Sequence, residues 1–590
     1  MKKSLCIIAS LLCISIYAQT QPKDVPAPDE LQMRYDLVKN RILKGSCPAI
    51  TEDFILNDLQ SDPVKQKMRL YSNFSGDLSG RYFSAMSRLP ENERPVNLAT
   101  MMKYALAMQQ TDGRFGNPYL LFSPDFIDKD HMALLWGNGR LLVGMLDYYN
   151  INPSPELLNS AVNLGNFLIG AVNTCTNPVV IKKLDGYAAH GYICLTQVNE
   201  GLVMLAKATK QSSYAEVTRK IILSVQPRNG QHTHGYLTTL RGVMDLYNYN
   251  KDASVLAFAK TRYDSIVTSS DYQYTGGVLE FLGNKSYYEL HDEGCAEADL
   301  IMLSFQLWKA TRNTGYLDKA EACILNHFFF NQFETGDFGH HVVNGNYGYR
   351  LNDQDHKAWW CCTWHGMLAL MDIKKNIVTA DSSSHKVNLY LDTKYSDRDI
   401  NFDMKKLKFD MPEYLVTFQM PTLTEVPLAF RKPSWAGTFS IMLNNMPVAF
   451  EEINGYCVVK RQWTTTDKIK IIMSYKMSFI STTGTEIPVS QIGSQPVEAY
   501  LKYGPYLMAA DGDIAYAFLA EPAGNTIVYV NDFKKSSEVN AGSAIPETYL
   551  SFRYKHDGFE GVNMVTLRPI GEQGGKKATY FKALLKFANQ

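Results

Sequence analysis

Met302-Leu-Ser-Phe-Gln-Leu-Trp-Lys-Ala-Thr311, followed by Tyr316 and a second apolar run to Phe330, decides the fold. Apolar residues recur there at three- and four-residue steps, so the stretch predicts a helix, a short polar turn and a returning helix. Leu202-Val-Met-Leu-Ala-Lys-Ala-Thr209, with Tyr214 and a run through Ile222, repeats it down to the Ala-Thr-x₄-Tyr at the turn. Weaker copies lie at Leu141 to Leu168 and Leu240 to Ile266. Such hairpins stack as an open solenoid or close into an (α/α) barrel. The long connections between units favour the barrel. The segment from Asn331 to Trp360 is rich in Gly, Asn, His and Tyr, and a connection of that length inside a compact domain is usually functional.

The helical texture runs from about Leu31 to Lys375 and changes after Asp381. Lys386-Val-Asn-Leu-Tyr-Leu, Tyr414-Leu-Val-Thr-Phe, Phe439-Ser-Ile-Met-Leu, Tyr456-Cys-Val-Val-Lys and Lys468-Ile-Lys-Ile-Ile-Met alternate with period two. Turn residues separate them, which predicts a β-sandwich. A second short-stranded region follows from about Pro488. The expected organisation is therefore a multidomain α + β chain: a leader over 1–18, a barrel over 19–380, a β-sandwich over 381–485 and a second sandwich-like domain over 486–590.

The leader is read from Lys2 and Lys3, the apolar core Leu5 to Tyr17, and Ala18 before a polar run. It is too short for a membrane span and fits a secretory signal. A lipid attachment at Cys13 ranks second, because Leu12 is not the small residue such a site needs. The expectation is an exported protein, periplasmic or on the cell surface, with no transmembrane span. Fifty-nine acidic and 59 basic residues cancel, which argues against a nucleic-acid partner. The 590 residues leave room for several cores, and the sequence carries no sign of oligomeric state. Aromatics at 12%, with 35 Tyr, fit either the β-rich half or flat faces that stack on sugars.

The chemistry concentrates in Asp292-Glu-Gly-Cys295 and in Trp359-Trp-Cys-Cys-Thr-Trp-His365. Glu293, Cys295, Cys361 and Cys362 supply a carboxylate and three thiols, a donor set for tetrahedral Zn²⁺. The spacing is not the C-x₂-C of a zinc finger, so the set reads as part of a reactive centre. Glu293 and Cys295 fall on different faces of a regular helix and reach one ion only from an extended or turning segment. A helix running on from about Ala296 makes 292–295 a loop-to-helix junction, where the helix dipole favours a thiolate. The other cysteines beyond the leader, Cys47, Cys175, Cys194, Cys323 and Cys457, show no disulfide framework. Adjacent Cys361 and Cys362 would pair only through a strained ring.

Glycoside hydrolysis needs a proton donor, and Glu280, Glu289 and Asp292 precede the cluster, with Asp353 and Asp355 as further carboxylates. His190, His232, His234 and His365, together with Trp364, are candidate sugar-binding side chains. His340, His341 and His356 lie in the same half. No H-E-x-x-H, Walker A loop or strand-linked dinucleotide fingerprint occurs, which disfavours a zincin peptidase and a nucleotide enzyme.

These residues resemble glycoside hydrolase family 127, the β-L-arabinofuranosidases, and its relative family 146. Glu293-Gly-Cys295 is similar to the family's Glu-Thr-Cys, and Cys361-Cys362 to its cysteine pair. The Ala-Thr-x₄-Tyr hairpins resemble its helical repeats. Phe430-Arg-Lys-Pro-Ser-Trp-Ala436, Asn445, Gly455-Tyr456, Arg461-x-Trp463, Asp467 and Tyr503-Gly-Pro505 resemble its β-region. The resemblance implies an (α/α)₆ barrel followed by β-sandwich domains and a zinc on Glu293, Cys295, Cys361 and Cys362. It implies Cys361 as nucleophile through a thioglycosyl intermediate, and Glu280, the nearest upstream match, as acid/base. Two departures stand near the substrate: Thr363-Trp-His-Gly366 after the pair, and Glu280 in Val-Leu-Glu-Phe. The leading expectation is an exported retaining exo-glycosidase acting on plant or algal oligosaccharides. A polysaccharide lyase or carboxylate hydrolase on the same barrel, and a non-catalytic sugar-binding protein, are the alternatives.

Overall fold

The structure, a computed structural model, describes residues 29–45, 50–61, 73–184, 191–222, 225, 230–283, 291–344, 348–350, 357–408, 411–511, 526–538, 547–556, 563–572 and 580–590. Its helical half is built from α1 (Glu30–Lys44), α2 (Asp77–Ser87), α3 (Leu98–Leu106), α4 (Lys129–Ile151), α5 (Pro155–Cys175) and α6 (Val198–Thr209). It continues through α7 (Ser212–Ile222), α8 (Thr233–Asn250), α9 (Ala253–Val267), α10 (Gly294–Thr311), α11 (Gly315–Ala322) and α12 (Trp360–Ile377). The even-numbered helices touch in sequence, and α12 returns to α2, so the ring closes. This is the (α/α)₆ barrel. The helix from the start of the chain, α1, supplies the outer partner of α12.

The inner helices are buried on nearly every face, α10 from Gly294 to Phe305 without a break, as a helix apolar all round must be. Close approach needs small residues at the seams. A Cβ on Gly80 of α2 would fall 2.5 Å from the Arg140 carbonyl of α4, and one on Gly144 would fall 2.3 Å from the Gly80 carbonyl. The Ala-Thr-x₄-Tyr turn has a mechanical explanation. Thr209 and Thr311 each donate to a carbonyl one turn back, at 2.8 Å, and the next residues, Lys210 and Arg312, take left-handed φ of 60° and 63°. That stops the helix, while Tyr214 and Tyr316 are buried in the returning one. Among the described residues no single helix is long and apolar enough to cross a membrane.

The sandwich pairs a five-stranded sheet (451–453, 456–461, 426–431, 385–387, 378–380) with a six-stranded one (446–447, 436–443, 468–475, 411–418, 401–408, 393–396). The Arg-Lys-Pro-Ser-Trp block ties it to the barrel. Arg431 is fully buried and reaches Asp318 and Glu321 of α11 at 2.5 and 2.6 Å, and the Trp435 indole donates to Glu321 at 2.7 Å.

In the C-terminal sheet, 497–503, 584–588, 526–538, 547–556, 563–569 and 506–511 form a closed circuit of pairings around a core of their own. Closure removes exposed edges. Pairing places the change of domain elsewhere than at 380/381 and 485/486. Val378–Ala380 already joins the sandwich, and Met477–Ser481 already joins the C-terminal sheet. Only Lys476 separates Tyr475 from Met477, with no Gly or Pro to break the alternation. The long connection after α11 is not irregular throughout: 342–344 and 348–350 form a hairpin that pairs with Tyr580–Lys582 at the edge of the C-terminal sheet.

Candidate metal centre and active site

Two inner helices begin at the same point. Glu293 caps α10 in extended conformation (φ −145°, ψ 122°) and Cys295 follows in its first turn. Cys361 and Cys362 occupy the first turn of α12. The break from strand-like Glu293 to helical Cys295 turns both side chains the same way, as the spacing required. Sγ of Cys295 lies 3.6 Å from Sγ of Cys362, which lies 4.0 Å from Sγ of Cys361. With Glu293 the four donor atoms fall within 4.8 Å of one another, a group that can hold a metal ion. Gly294 permits this: a Cβ there would meet Asn331 Oδ1 at 2.6 Å and Cys362 Cβ at 3.3 Å.

The donors fit a divalent cation. Glu293 is buried, and its Oε2 has no hydrogen-bond partner although His232 Nε2 lies 3.3 Å away. Burial pushes the Glu293 carboxyl and the Cys295 and Cys362 thiols well above their usual ranges. Cys361 moves the other way, because hydrogen bonds from Cys295 and Cys362 favour its thiolate against burial, helped by Arg81 and His340. Coordination by a cation would ionise the remaining thiols. Cys361 is also the one donor of the four that is not fully buried.

A buried polar network backs the cluster. Arg81 of α2 lies with Nη1 3.8 Å from Cys295 Sγ, with Nη2 2.7 Å from His234 Nε2, and with Nε 2.9 Å from Asp77. Asp299 of α10 binds His234 at 2.6 Å, His365 at 2.7 Å, Thr238 at 2.6 Å and Arg241 at 2.8 Å. These groups join α2, α8, α10 and α12 beneath the thiols.

Beside the cluster, Thr233 N–H donates to the Glu280 carbonyl and Glu280 N–H to the His291 carbonyl, both at 2.8 Å. The Glu280 side chain, 20% exposed, has Oε1 3.8 Å from His232 Nε2 and Oε2 3.5 Å from His340 Nδ1. His232 therefore bridges Glu280 and Glu293. Burial pushes the Glu280 carboxyl up, but the hydrogen bond and charge of His340, with His232 and His291, outweigh it and leave it below its ordinary value. His340 is raised by the same contact, against burial.

The structure brings together Glu280, His232 and the four donors. It does not do so for the other candidates. Trp364 is fully buried with its ring edge-on to Tyr82, and His234 and His365 are locked under Asp299, so these three belong to the barrel core and not to a sugar-binding surface. Asp292 is spent too, accepting from Asn331 Nδ2 at 3.0 Å and His341 N–H at 2.5 Å, with His327 Nε2 at 3.0 Å. His190, Glu289, Asp353, Asp355 and His356 lie outside the described residues. Pattern reading does not find Arg81 and Asp299, although each is a charge on a helix buried on nearly every face.

Barrel, sandwich and thiol–carboxylate cluster together define a glycoside hydrolase. The profile of the β-L-arabinofuranosidase GH127 catalytic domain matches residues 58–375, and that of the GH127 middle domain matches 379–477. The chain belongs to glycoside hydrolase family 127. This decides for a hydrolase against the lyase and sugar-binding alternatives. Its fold is that of Ara127N-Se, a GH127 β-L-arabinofuranosidase from Geobacillus stearothermophilus T6, at 14% identity and TM-score 0.71 over 96% of this chain and all of that one. The GH127 β-arabinofuranosidase BT3674 matches at 14% identity and TM-score 0.70, over 96% of each chain. No curated protein sequence matches the chain.

Proposed function

We propose that the protein is an exported, retaining exo-glycosidase that removes β-L-arabinofuranose or a similarly hydroxylated sugar from plant or algal oligosaccharides. Glu293, Cys295, Cys361 and Cys362 would hold a zinc ion. The observation that carries the reading is that Cys361, alone among the donors, is only half-buried, and that His232 and His340 stand near both it and Glu280.

When bound, zinc supplies the charge that keeps the thiols ionised. The chain's own residues do the rest. Cys361 Sγ attacks the anomeric carbon as Glu280 gives its proton to the leaving glycosidic oxygen, so the S–C bond forms while the C–O bond breaks. Water then attacks that carbon, Glu280 takes its proton back, and Sγ departs as thiolate, which retains configuration. His232 and His340 hold the Glu280 carboxylate in place.

Purified protein should contain about one zinc per chain. Cys361→Ser should abolish turnover of an aryl β-L-arabinofuranoside, and Glu280→Gln should slow substrates with poor leaving groups most. Full activity of the Cys361→Ser protein would overturn the mechanism. Export rests on residues 1–18, and N-terminal sequencing of protein from fractionated cells tests it.

A further inference from the structure

A cavity of about 790 Å³ opens where α11, the loop 267–276, the sandwich and the C-terminal domain meet. It contains none of the cluster donors, nor Glu280, His232 or His340. Its volume falls within the roughly 300–1,000 Å³ of ligand sites.

Three half-buried aromatic side chains line it: Tyr272, Tyr274 and Trp435. Each is fixed from behind. Tyr274 stacks on Tyr500 with centroids 4.0 Å apart and donates to the Thr482 carbonyl at 2.5 Å. Trp435 is held by Glu321 and leans on Tyr475. Tyr272 lies under the Lys319 ammonium, 4.5 Å from its centroid. Rigid rings with few rotamers are what a sugar face stacks on at low entropic cost.

The cavity and its wall hold three cations against two carboxylates. Asp318 and Glu321 share the single guanidinium of buried Arg431. Lys319 and Lys502 also line it, and neither forms an ion pair among the described residues. Burial lowers the Lys319 ammonium and neighbouring Lys502 lowers it further, with the Asp318 carboxylate acting against them. Two cations on the wall of one partly enclosed space repel each other, and a carboxylate between them would relieve that.

We propose that this cavity is a second, non-catalytic carbohydrate site that takes an acidic oligosaccharide: a uronide whose ring stacks on Trp435 or Tyr274 and whose carboxylate meets Lys319 and Lys502. The Pro-Ser-Trp block thus both clamps the sandwich to the barrel and builds one wall of the site. An acidic glycan held there would raise the local concentration of chain ends at the catalytic centre.

The test is titration of the full-length protein with trigalacturonate, its methyl ester and inorganic phosphate by calorimetry. Lys319→Met/Lys502→Met and Lys319→Arg/Lys502→Arg double variants are run alongside, with folding checked by thermal unfolding. Trigalacturonate should bind wild type and the arginine variant, and at least tenfold more weakly to the methionine variant. The methyl ester should bind wild type weakly. Turnover of a neutral aryl glycoside should be the same in all three proteins. Equal affinity in the methionine variant, equal affinity for the ester, no binding by wild type, or phosphate binding as tight as trigalacturonate would each overturn the proposal, the last by leaving a site for simple anions only.

Discussion

His340 is the neighbour that most favours the Glu280 carboxylate. A general acid works best when its pKa lies near the working pH, yet Glu280 is held below its ordinary value, because the His340 hydrogen bond and charge outweigh burial. Removing that imidazole removes an interaction favouring the carboxylate. In His340→Asn the proton should stay on Glu280 to higher pH, and the alkaline limb of kcat/KM should move up. A pH–rate profile that does not move would exclude His340 from the proton path. At this scale the sequence was legible where donors cluster along the chain. Glu293-Gly-Cys295 and Cys361-Cys362 announce themselves because their donors are neighbours. Arg81 and Asp299 do not, because the partners that tie them to the site come together only in the closed barrel, 153 residues apart for Arg81 and His234. Trp364, His234 and His365 were misread for a related reason: in a helix buried on all faces, proximity to the cysteines in sequence says nothing of which side faces substrate.

Among elements, the decisive fact is that α10 and α12 start at one point. Their N-terminal N–H groups and dipoles favour the thiolates, and Gly294 lets the two first turns approach. Gly294→Ala should push Cys362 and Asn331 away from α10 and lower metal content at least several-fold, as read by mass spectrometry of the dialysed protein, with the helical signal in circular dichroism retained. The same helices are pinned below by Asp299. Replacing it with Asn leaves the Arg241 and histidine contacts without their charge partner. This should cost about 3–5 kcal/mol, as removing one partner of a buried charged network does, read by denaturant unfolding. The hairpins themselves were readable from periodicity, and the Ala-Thr-x₄-Tyr turn proved to be a physical device, a threonine capping bond followed by a left-handed residue. The strands Met477–Ser481, 342–344 and 348–350 were not readable in their roles, since nothing local tells a strand which sheet it will join.

For the whole molecule, the C-terminal domain packs against the segment that carries Glu280. Leu279, next to Glu280, and Phe330 share one apolar cluster with Tyr500, Leu507, Ala509, Ile570 and Leu584. Asn326 binds the Pro505 carbonyl and the Leu507 N–H at 2.9 and 2.7 Å, and Arg34 of α1 reaches the Gly571 carbonyl at 3.3 Å. The domain therefore props the segment that holds the acid/base candidate, while the metal donors rest on α10 and α12. This separates two effects of one substitution. Leu507→Ala should cost about 2–5 kcal/mol as a buried leucine truncation, and should lower kcat on an aryl glycoside while zinc content stays at the wild-type level. Leu550→Ala, in the C-terminal domain's own core, should destabilise by a similar amount with kcat preserved at temperatures where the protein is folded. Equal kcat in the two variants would mean that the third domain stabilises the barrel without positioning Glu280. A selective loss in Leu507→Ala would place the prop within the catalytic machinery.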